Sequence, residues 1–244
     1  MKRGDAVVGT WSIIPSPVTA EIIGKAGLDF IIFDQEHGPV GLETLQTMVM
    51  ACKNENCTAI VRVPDIKLDR IQNVLDIGAQ GIQVPNVEDA QACKRFISYA
   101  KYPPEGVRGF SPFTRAGGYI GAKAQSLMQS KNDALLTVAN IEGPQAIDMA
   151  NEITSVPGLD VVFVGLFDLS KALGIPGDIE NPLVIEGLKN VIEVCQRNGV
   201  AVGTIATSLE MLRYFEGLGV TYLVYWVDCA VLSDAYAEIK RGLC

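Results

Sequence analysis

One histidine, His37, occurs in the chain, inside Phe33-Asp34-Gln35-Glu36-His37-Gly38-Pro39. An apolar run, Phe30 to Phe33, leads into two acids and the imidazole, and Gly-Pro then turns the chain. Imidazole is the side chain whose ordinary pKa lies near neutrality, so a lone copy beside carboxylates suits proton transfer. The alternative is a loop histidine that only leads into the next helix.

Other polar groups sit where apolar runs finish. Trp11 ends one; Arg62 ends another, in Ile60-Val61-Arg62-Val63-Pro64; Asn140 and Glu142 end a third, and Asp168 follows a fourth. Glu142 and Asp168 are hard oxygen donors that suit Mg²⁺ or Mn²⁺, or else they serve as caps and first-turn charges of the helices that follow. Arg62 is either a buried partner for these acids or a planar donor for a substrate carboxylate or enolate oxygen. Asp76, in Leu75-Asp76-Ile77-Gly78, either orients His37 or merely closes a helix. Lysines are missing from the run ends, since Lys67 and Lys171 fall in helix-start patterns; this disfavours Schiff-base chemistry. No GxSxG elbow or P-loop occurs.

These groups need a scaffold, and the chain alternates apolar runs with amphipathic segments throughout. Strands are predicted at 6–11, 29–34, 59–63, 81–85, 135–141, 160–165, 200–205 and 221–226. Helices are predicted at 18–26, 41–54, 67–77, 88–99, 144–154, 182–198, 208–217 and 229–242. Eight strand–helix repeats with apolar strand interiors imply an α/β fold, a closed (β/α)₈ TIM barrel in a single domain spanning 1–244. A doubly wound sheet is the rival, weakened because no GxGxxG follows the first strand. Segment 100–134 interrupts the rhythm and reads as an elaborated loop near the site. Proline-rich 175–182 is a second insertion. The last helix carries Leu232, Tyr236 and Ile239 on one face, a face that ordinarily packs on its own barrel.

Composition narrows the partners. Apolar residues make up 48% and charged ones 20% of 244 residues, enough for an extensive core. A net charge of −8 with scattered bases argues against nucleic acid or anionic membrane as partners. No apolar run reaches membrane-span length, and residues 1–5 do not read as a signal peptide, so a cytoplasmic location is expected. Six cysteines (52, 57, 93, 195, 229 and 244) form no CxxC pair and read as reduced.

Taken in order, Asp34-x-Glu36-His37-x-Pro39, Val61-Arg62-Val63-Pro64, Leu75-Asp76-x-Gly78, Tyr102-Pro103-Pro104-x-Gly106-x-Arg108-Gly109, Ile141-Glu142 and Gly165-x-x-Asp168-Leu169-Ser170 resemble the HpcH/HpaI family of class II pyruvate aldolases. The resemblance covers nearly the whole chain. It implies a divalent ion (Mg²⁺, Mn²⁺ or Co²⁺) held by Glu142 and Asp168, and a small-molecule substrate cleaved to pyruvate and an aldehyde. Arg62 would stabilise the enolate oxygen. His37, made more basic by Asp76, would move the hydroxyl proton, and Asp34 and Glu36 would hold water around the ion. Asn140 and the Gly165, Phe167 and Asp168 segment would line the pyruvate pocket, with backbone there receiving the carboxylate. A homo-hexamer of paired barrels exchanging the C-terminal helix is also implied. Three positions depart from the family pattern: Asn140 for glutamine, Gln35 for a small residue, and Leu166-Phe167 for proline with a small residue. The alternatives are a related enolate lyase or condensing enzyme, acting on oxaloacetate or forming citrate, and a non-catalytic keto-acid binder.

Overall fold

A computed structural model describes residues 5–119 and 124–243. Eight parallel strands close into a barrel in sequence order: β1 (Val7–Ser12), β2 (Phe30–Asp34), β3 (Thr58–Arg62), β4 (Gly81–Val84), β5 (Leu136–Ile141), β6 (Val161–Val164), β7 (Ala201–Ala206) and β8 (Tyr222–Val227). The helices between them are α1 (Pro17–Lys25), α2 (Leu42–Asn54), α3 (Leu68–Asp76), α4 (Ala90–Ala100), α5 (Ala124–Ala134), α6 (Pro144–Asp148), α7 (Ala150–Thr154), α8 (Leu166–Ala172), α9 (Pro182–Asn198) and α10 (Leu209–Leu218); α11 (Asp228–Gly242) follows the last strand. The predicted strands and main helices all appear, within a residue or two at each end. Two details differ. The segment predicted as one helix at 144–154 breaks at Met149 into α6 and α7, and α8 forms at 166–172, where only a helix-start pattern around Lys171 was noted and no range was assigned.

Alternation along each strand divides the core into two layers. Phe30, Ile32, Ile60, Val138, Val161, Phe163, Tyr222 and Val224 fill the barrel interior. Ile31, Phe33, Val61, Ala139, Val162 and Leu223 face outward under the helices. Both faces are therefore buried, which is why the strands read as continuous apolar runs. Inside, the Phe30 and Tyr222 rings stack with centroids 4.3 Å apart. Gly9 makes that possible, since a Cβ there would lie 2.3 Å from Phe30 Cδ2 and 2.5 Å from its carbonyl oxygen.

The seam between β1 and β8 is irregular. Gly9 pairs with Val224 but Trp11 with Val227, so β8 carries an extra residue. Trp226 takes up the bulge with φ of 47°, and Thr10 Oγ1 donates to the Tyr225 carbonyl at 2.9 Å. Buried Asp228 then fastens the seam by accepting from Ser12 Oγ and from the amides of Ile13 and Ile14.

Two expectations are corrected here. Segment 100–134 links α4 to β5, so it lies at the end of the barrel where strands begin, opposite the strand ends that carry His37. Its contacts agree: Ala116 N donates to Asp76 O and Gly109 N to Gln72 Oε1, both on the last turns of α3. The last helix does not pack its apolar face on its own barrel either; Leu232, Tyr236 and Ile239 are exposed. Of the cysteines, 52, 57, 93, 195 and 229 are free thiols, as expected. Cys244, the first four residues and 120–123 lie outside the described residues.

Gly9→Ala is expected to lower stability by about 1–3 kcal/mol or more, the range for overpacking a core that cannot yield. A leftward shift of the urea unfolding midpoint would register it, and an unchanged midpoint would contradict the packing described.

Candidate active site

The same alternation that fills the barrel builds the site above it. Two residues beyond inward-facing Ile32, Ile60 and Val138 come Asp34, Arg62 and Asn140, and two beyond Phe163 comes Gly165. Charge thus replaces apolar bulk at the strand ends, where the βα turns open to solvent. A cavity of ≈ 410 Å³ there is lined by Trp11, Asp34, His37, Arg62, Asn140, Glu142, Gly165, Phe167, Asp168 and Trp226, among others.

Arg62 and Asp34 are both buried and meet as a bidentate pair, Nε to Oδ1 at 2.9 Å and Nη2 to Oδ2 at 2.7 Å. Asp34 Oδ1 also accepts the Glu36 amide. Two of the five guanidinium N–H groups are committed to Asp34. Nη1 lies 2.9 Å from Glu36 Oε2, an ion pair by distance that lacks an aligned hydrogen bond. The Trp11 ring packs 4.5 Å from the guanidinium carbon. Arg62 is therefore a partner for the barrel acids and still has N–H groups to offer to the cavity. Both Asp34 carboxylate oxygens accept from Arg62, and the residue also borders the cavity.

Glu142 is held by a relay. Gln83 Nε2 donates to Asn140 Oδ1 at 2.7 Å, and Asn140 Nδ2 donates to Glu142 Oε1 at 2.8 Å. The Asn86 amide donates to Glu142 Oε2 at 3.2 Å. Asn140 accordingly aims the acid more than it addresses a substrate. Neither acid caps a helix: Gly143 and Gly165 are the N-caps of α6 and α8, and neither helix has a side-chain cap hydrogen bond. Asp168 stands in the first turn of α8, and its carboxylate converges with that of Glu142 over Gly165. A Cβ at Gly165 would lie 3.8 Å from Glu142 Oε1 and 3.7 Å from Asp168 Oδ2. Gly165 gives space rather than a donor, because its amide is spent on Ile141 O.

Burial raises the Glu142 carboxyl above the ordinary carboxylate pKa and the nearby Asp168 charge adds to it, against the Asn140 and Asn86 hydrogen bonds and Arg62. Burial likewise raises Glu36, with Arg62 opposing and Glu142 reinforcing. Among the described residues no three His, Cys, Asp or Glu side chains cluster tightly enough to enclose a metal by themselves.

The structure brings His37, Arg62, Asp34, Asn140, Glu142, Gly165, Phe167 and Asp168 to one cavity. It does not bring Asp76. That residue ends α3, at the opposite end of the barrel, where its carboxylate accepts from Arg108 Nη2 at 2.7 Å. Within one chain it cannot orient His37. Two contributors were missed. Gln83 is a polar residue facing inward on β4, a signal present in Gly-Ile-Gln-Val but unused. Trp226 is the other; its ring lies over Phe167 with centroids 6.4 Å apart and walls one side of the cavity.

Comparison with known proteins identifies the family and the fold. The HpcH/HpaI aldolase/citrate lyase model matches residues 8–234. The chain is 32% identical over 233 residues to a 5-keto-4-deoxy-D-glucarate aldolase of Shigella boydii, covering 95% of this chain and 90% of that one. It is 31% identical over 243 residues to a 2-dehydro-3,6-dideoxy-6-sulfogluconate aldolase of Pseudomonas putida, covering 100% and 94%. The crystal structure of an HpcH/HpaI aldolase from Desulfitobacterium hafniense superposes with a TM-score of 0.94 at 30% identity, covering 99% of this chain and 94% of that one.

Two substitutions test the electrostatics. Arg62→Met leaves Asp34 buried without a counter-charge and should cost about 3–5 kcal/mol, read as a fall in unfolding free energy. Glu142→Gln should act oppositely. A carboxyl with raised folded pKa stabilises the fold only while protonated, so its ionised form is a burden at neutral pH. The variant is expected to melt higher than wild type at pH 7 in EDTA, with the gap closing as the pH falls into the carboxylate range. A lower melting temperature at pH 7 would contradict this.

Proposed function

The chain belongs to the HpcH/HpaI aldolase/citrate lyase family, and from that premise we propose that it reversibly cleaves a 4-hydroxy-2-oxo acid to pyruvate and an aldehyde. It is a carbon–carbon lyase of the aldolase type. The observation that carries the reading is the Glu142–Asp168 pair converging over the space left by Gly165, with Arg62 and His37 on the same cavity.

Two hard carboxylates on neighbouring elements, neither spent on a helix cap, fit a divalent cation that draws its other ligands from water and substrate. Glu142 and Asp168 would hold Mg²⁺, Mn²⁺ or Co²⁺. When bound, such an ion supplies Lewis-acid stabilisation of negative charge on the keto oxygen. The chain's own groups do the rest. Arg62, fixed by Asp34, directs its uncommitted N–H groups toward the oxygen on which enolate charge develops. His37 accepts the C4 hydroxyl proton as the C3–C4 bond breaks, releasing the aldehyde and leaving the electron pair in the enolate. Protonation at C3 then gives pyruvate. Asn140, anchored by Gln83, keeps Glu142 aimed. Phe167 and Trp226 form an apolar wall that borders the reacting molecule.

The exposed Leu232, Tyr236 and Ile239 face of α11 supports assembly by exchange of that helix between copies, in a homo-hexamer. No described helix is long and apolar enough to cross a membrane.

A pyruvate-release assay on 4-hydroxy-2-oxo acids tests the reaction. EDTA and Asp168→Asn should each abolish turnover, with Mn²⁺ restoring only the EDTA-treated wild type. His37→Ala should lower kcat by about 10²–10⁴-fold, the usual contribution of a positioned acid–base group. Full turnover in EDTA, or an unaltered kcat in His37→Ala, would refute the mechanism.

A further inference from the structure

The reactive cavity is divided by chemistry according to which strands build it. Its carboxylates, guanidinium and imidazole come from the ends of β2, β3 and β5 and from the turn after β6: Asp34, His37, Arg62, Glu142 and Asp168. The lining from β7, β8 and the first turn of α11 is Ile205, Trp226, Val227, Cys229 and Ala230, which adds no carboxylate, amine or guanidinium. The one acid in that stretch, Asp228, is turned away and taken up by Ser12 Oγ and the amides of Ile13 and Ile14. Ile13, just past β1, also lines the cavity. Because β8 closes onto β1, these residues make one continuous apolar sector beside the charged one.

Two aromatic residues close this sector, and stability does not explain them. Trp226 holds φ of 47°, in the left-handed region that glycine enters freely and a bulky side chain rarely does. Glycine would meet the β8 bulge without that penalty. Strain of this kind persists where the surroundings impose it, and it concentrates at positions that contact ligands. Deep burial does not offset it here: Trp226 is half-buried and its partner Phe167 is 39% exposed. Their centroids stand 6.4 Å apart, near the outer limit for paired rings. Phe167 also stands where the family pattern has a small residue, directly before Asp168. Two large rings are therefore held beside the reacting groups with apolar surface left open to the cavity.

The aldolase reading, on which this inference rests, fixes the part of the substrate that meets them. C4 of a 4-hydroxy-2-oxo acid bears a hydroxyl, a hydrogen and the group that departs with the aldehyde. His37, above β2, takes the hydroxyl proton, and Arg62, on β3, faces the developing enolate charge. The departing group is left for the sector on β7 and β8. A hydroxylated or ionic group placed there would lose water without gaining partners. An apolar group placed there gains in proportion to the area it removes from water.

We propose that Phe167 and Trp226 are specificity-determining residues, selecting 4-hydroxy-2-oxo acids whose aldehyde half is uncharged and apolar, an aryl group above all. A flat ring can stack on Trp226 or meet Phe167 edge to face, as aromatic pairs prefer.

The test uses two 2-oxo acids that lack the 4-hydroxyl and so cannot be cleaved, 2-oxo-4-phenylbutanoate and 2-oxobutanoate. Each is titrated by calorimetry into the full-length protein with Mn²⁺ present. The phenyl group should tighten binding by about tenfold or more, the scale of discrimination in an apolar pocket. Phe167→Ala and Trp226→Gly should each remove most of that gain, whereas a purely structural pair predicts that the gain survives with both acids weakened alike. Neither side chain is fully buried, so both variants should fold, and melting curves check this. In the synthetic direction C3 of pyruvate adds to the aldehyde carbon. Benzaldehyde should exceed glyceraldehyde in kcat/KM by about tenfold or more, and both variants should narrow that ratio. A phenyl gain that both variants lose, without aldol product from either aldehyde, would support the apolar subsite and refute the aldolase reading. The proposal is overturned if the phenyl group adds no affinity, whether or not product forms, or if its gain is undiminished in both variants.

Discussion

Arg62 and Asp34 sit side by side in register on β2 and β3, immediately above a barrel interior of aromatic and aliphatic side chains. A charge at that depth is tolerable only when a partner neutralises it. Here the bidentate pair meets the requirement for both residues at once and fixes the guanidinium plane. Everything else in the cavity is placed relative to it. Trp11 covers one face of the guanidinium, Glu36 stands beside Nη1, and the acids Glu142 and Asp168 gather on the neighbouring strand ends. Without the pair, Arg62 would have no fixed orientation, and donors aimed at a developing charge act only when they are already in place.

That arrangement was legible in the sequence to the extent that alternation fixes direction. Once Ile32 and Ile60 are assigned to the barrel interior, Asp34 and Arg62 must point the same way, because side chains repeat every second residue. The strand count followed from continuous apolar runs, which a barrel and an open parallel sheet share; the missing GxGxxG only weakened the open sheet, and the closed strand order decides for the barrel. Two residues escaped for different reasons. Gln83 obeys the same alternation and could have been found by it. Trp226 could not, because the extra residue in β8 shifts the phase locally, and nothing in Tyr225-Trp226-Val227 marks a bulge.

Segment 100–134 and Asp76 show where spacing along the chain misleads. Whether a loop belongs to the reactive end depends on whether it follows a strand or a helix. The long segment follows α4, and Asp76 closes α3, so both fall at the strand-start end. Their polar residues are real features of the molecule, but they organise a different cavity. Arg108, Asp76 and Tyr102 make one stack there, as Arg62, Asp34 and Trp11 do at the other end.

The two ends differ in how charge is balanced. At the reactive end, two carboxylates are pressed together under partial burial, with Arg62 already shared between Asp34 and Glu36. Burial first, and then the Asp168 charge, raise the proton affinity of Glu142, with Arg62 opposing them only in part. At the other end the excess is positive and Lys131 gives up its proton more readily. In both cavities the fold tolerates like charges that would separate if solvent or conformation allowed. Rigid strand ends and helix termini hold the groups in place, so at the reactive end the unbalanced charge persists as binding capacity instead of relaxing away. A protein optimised only for stability would have replaced Glu142 with an amide, and keeping the acid makes sense if the reactive end of the barrel has a cation to meet.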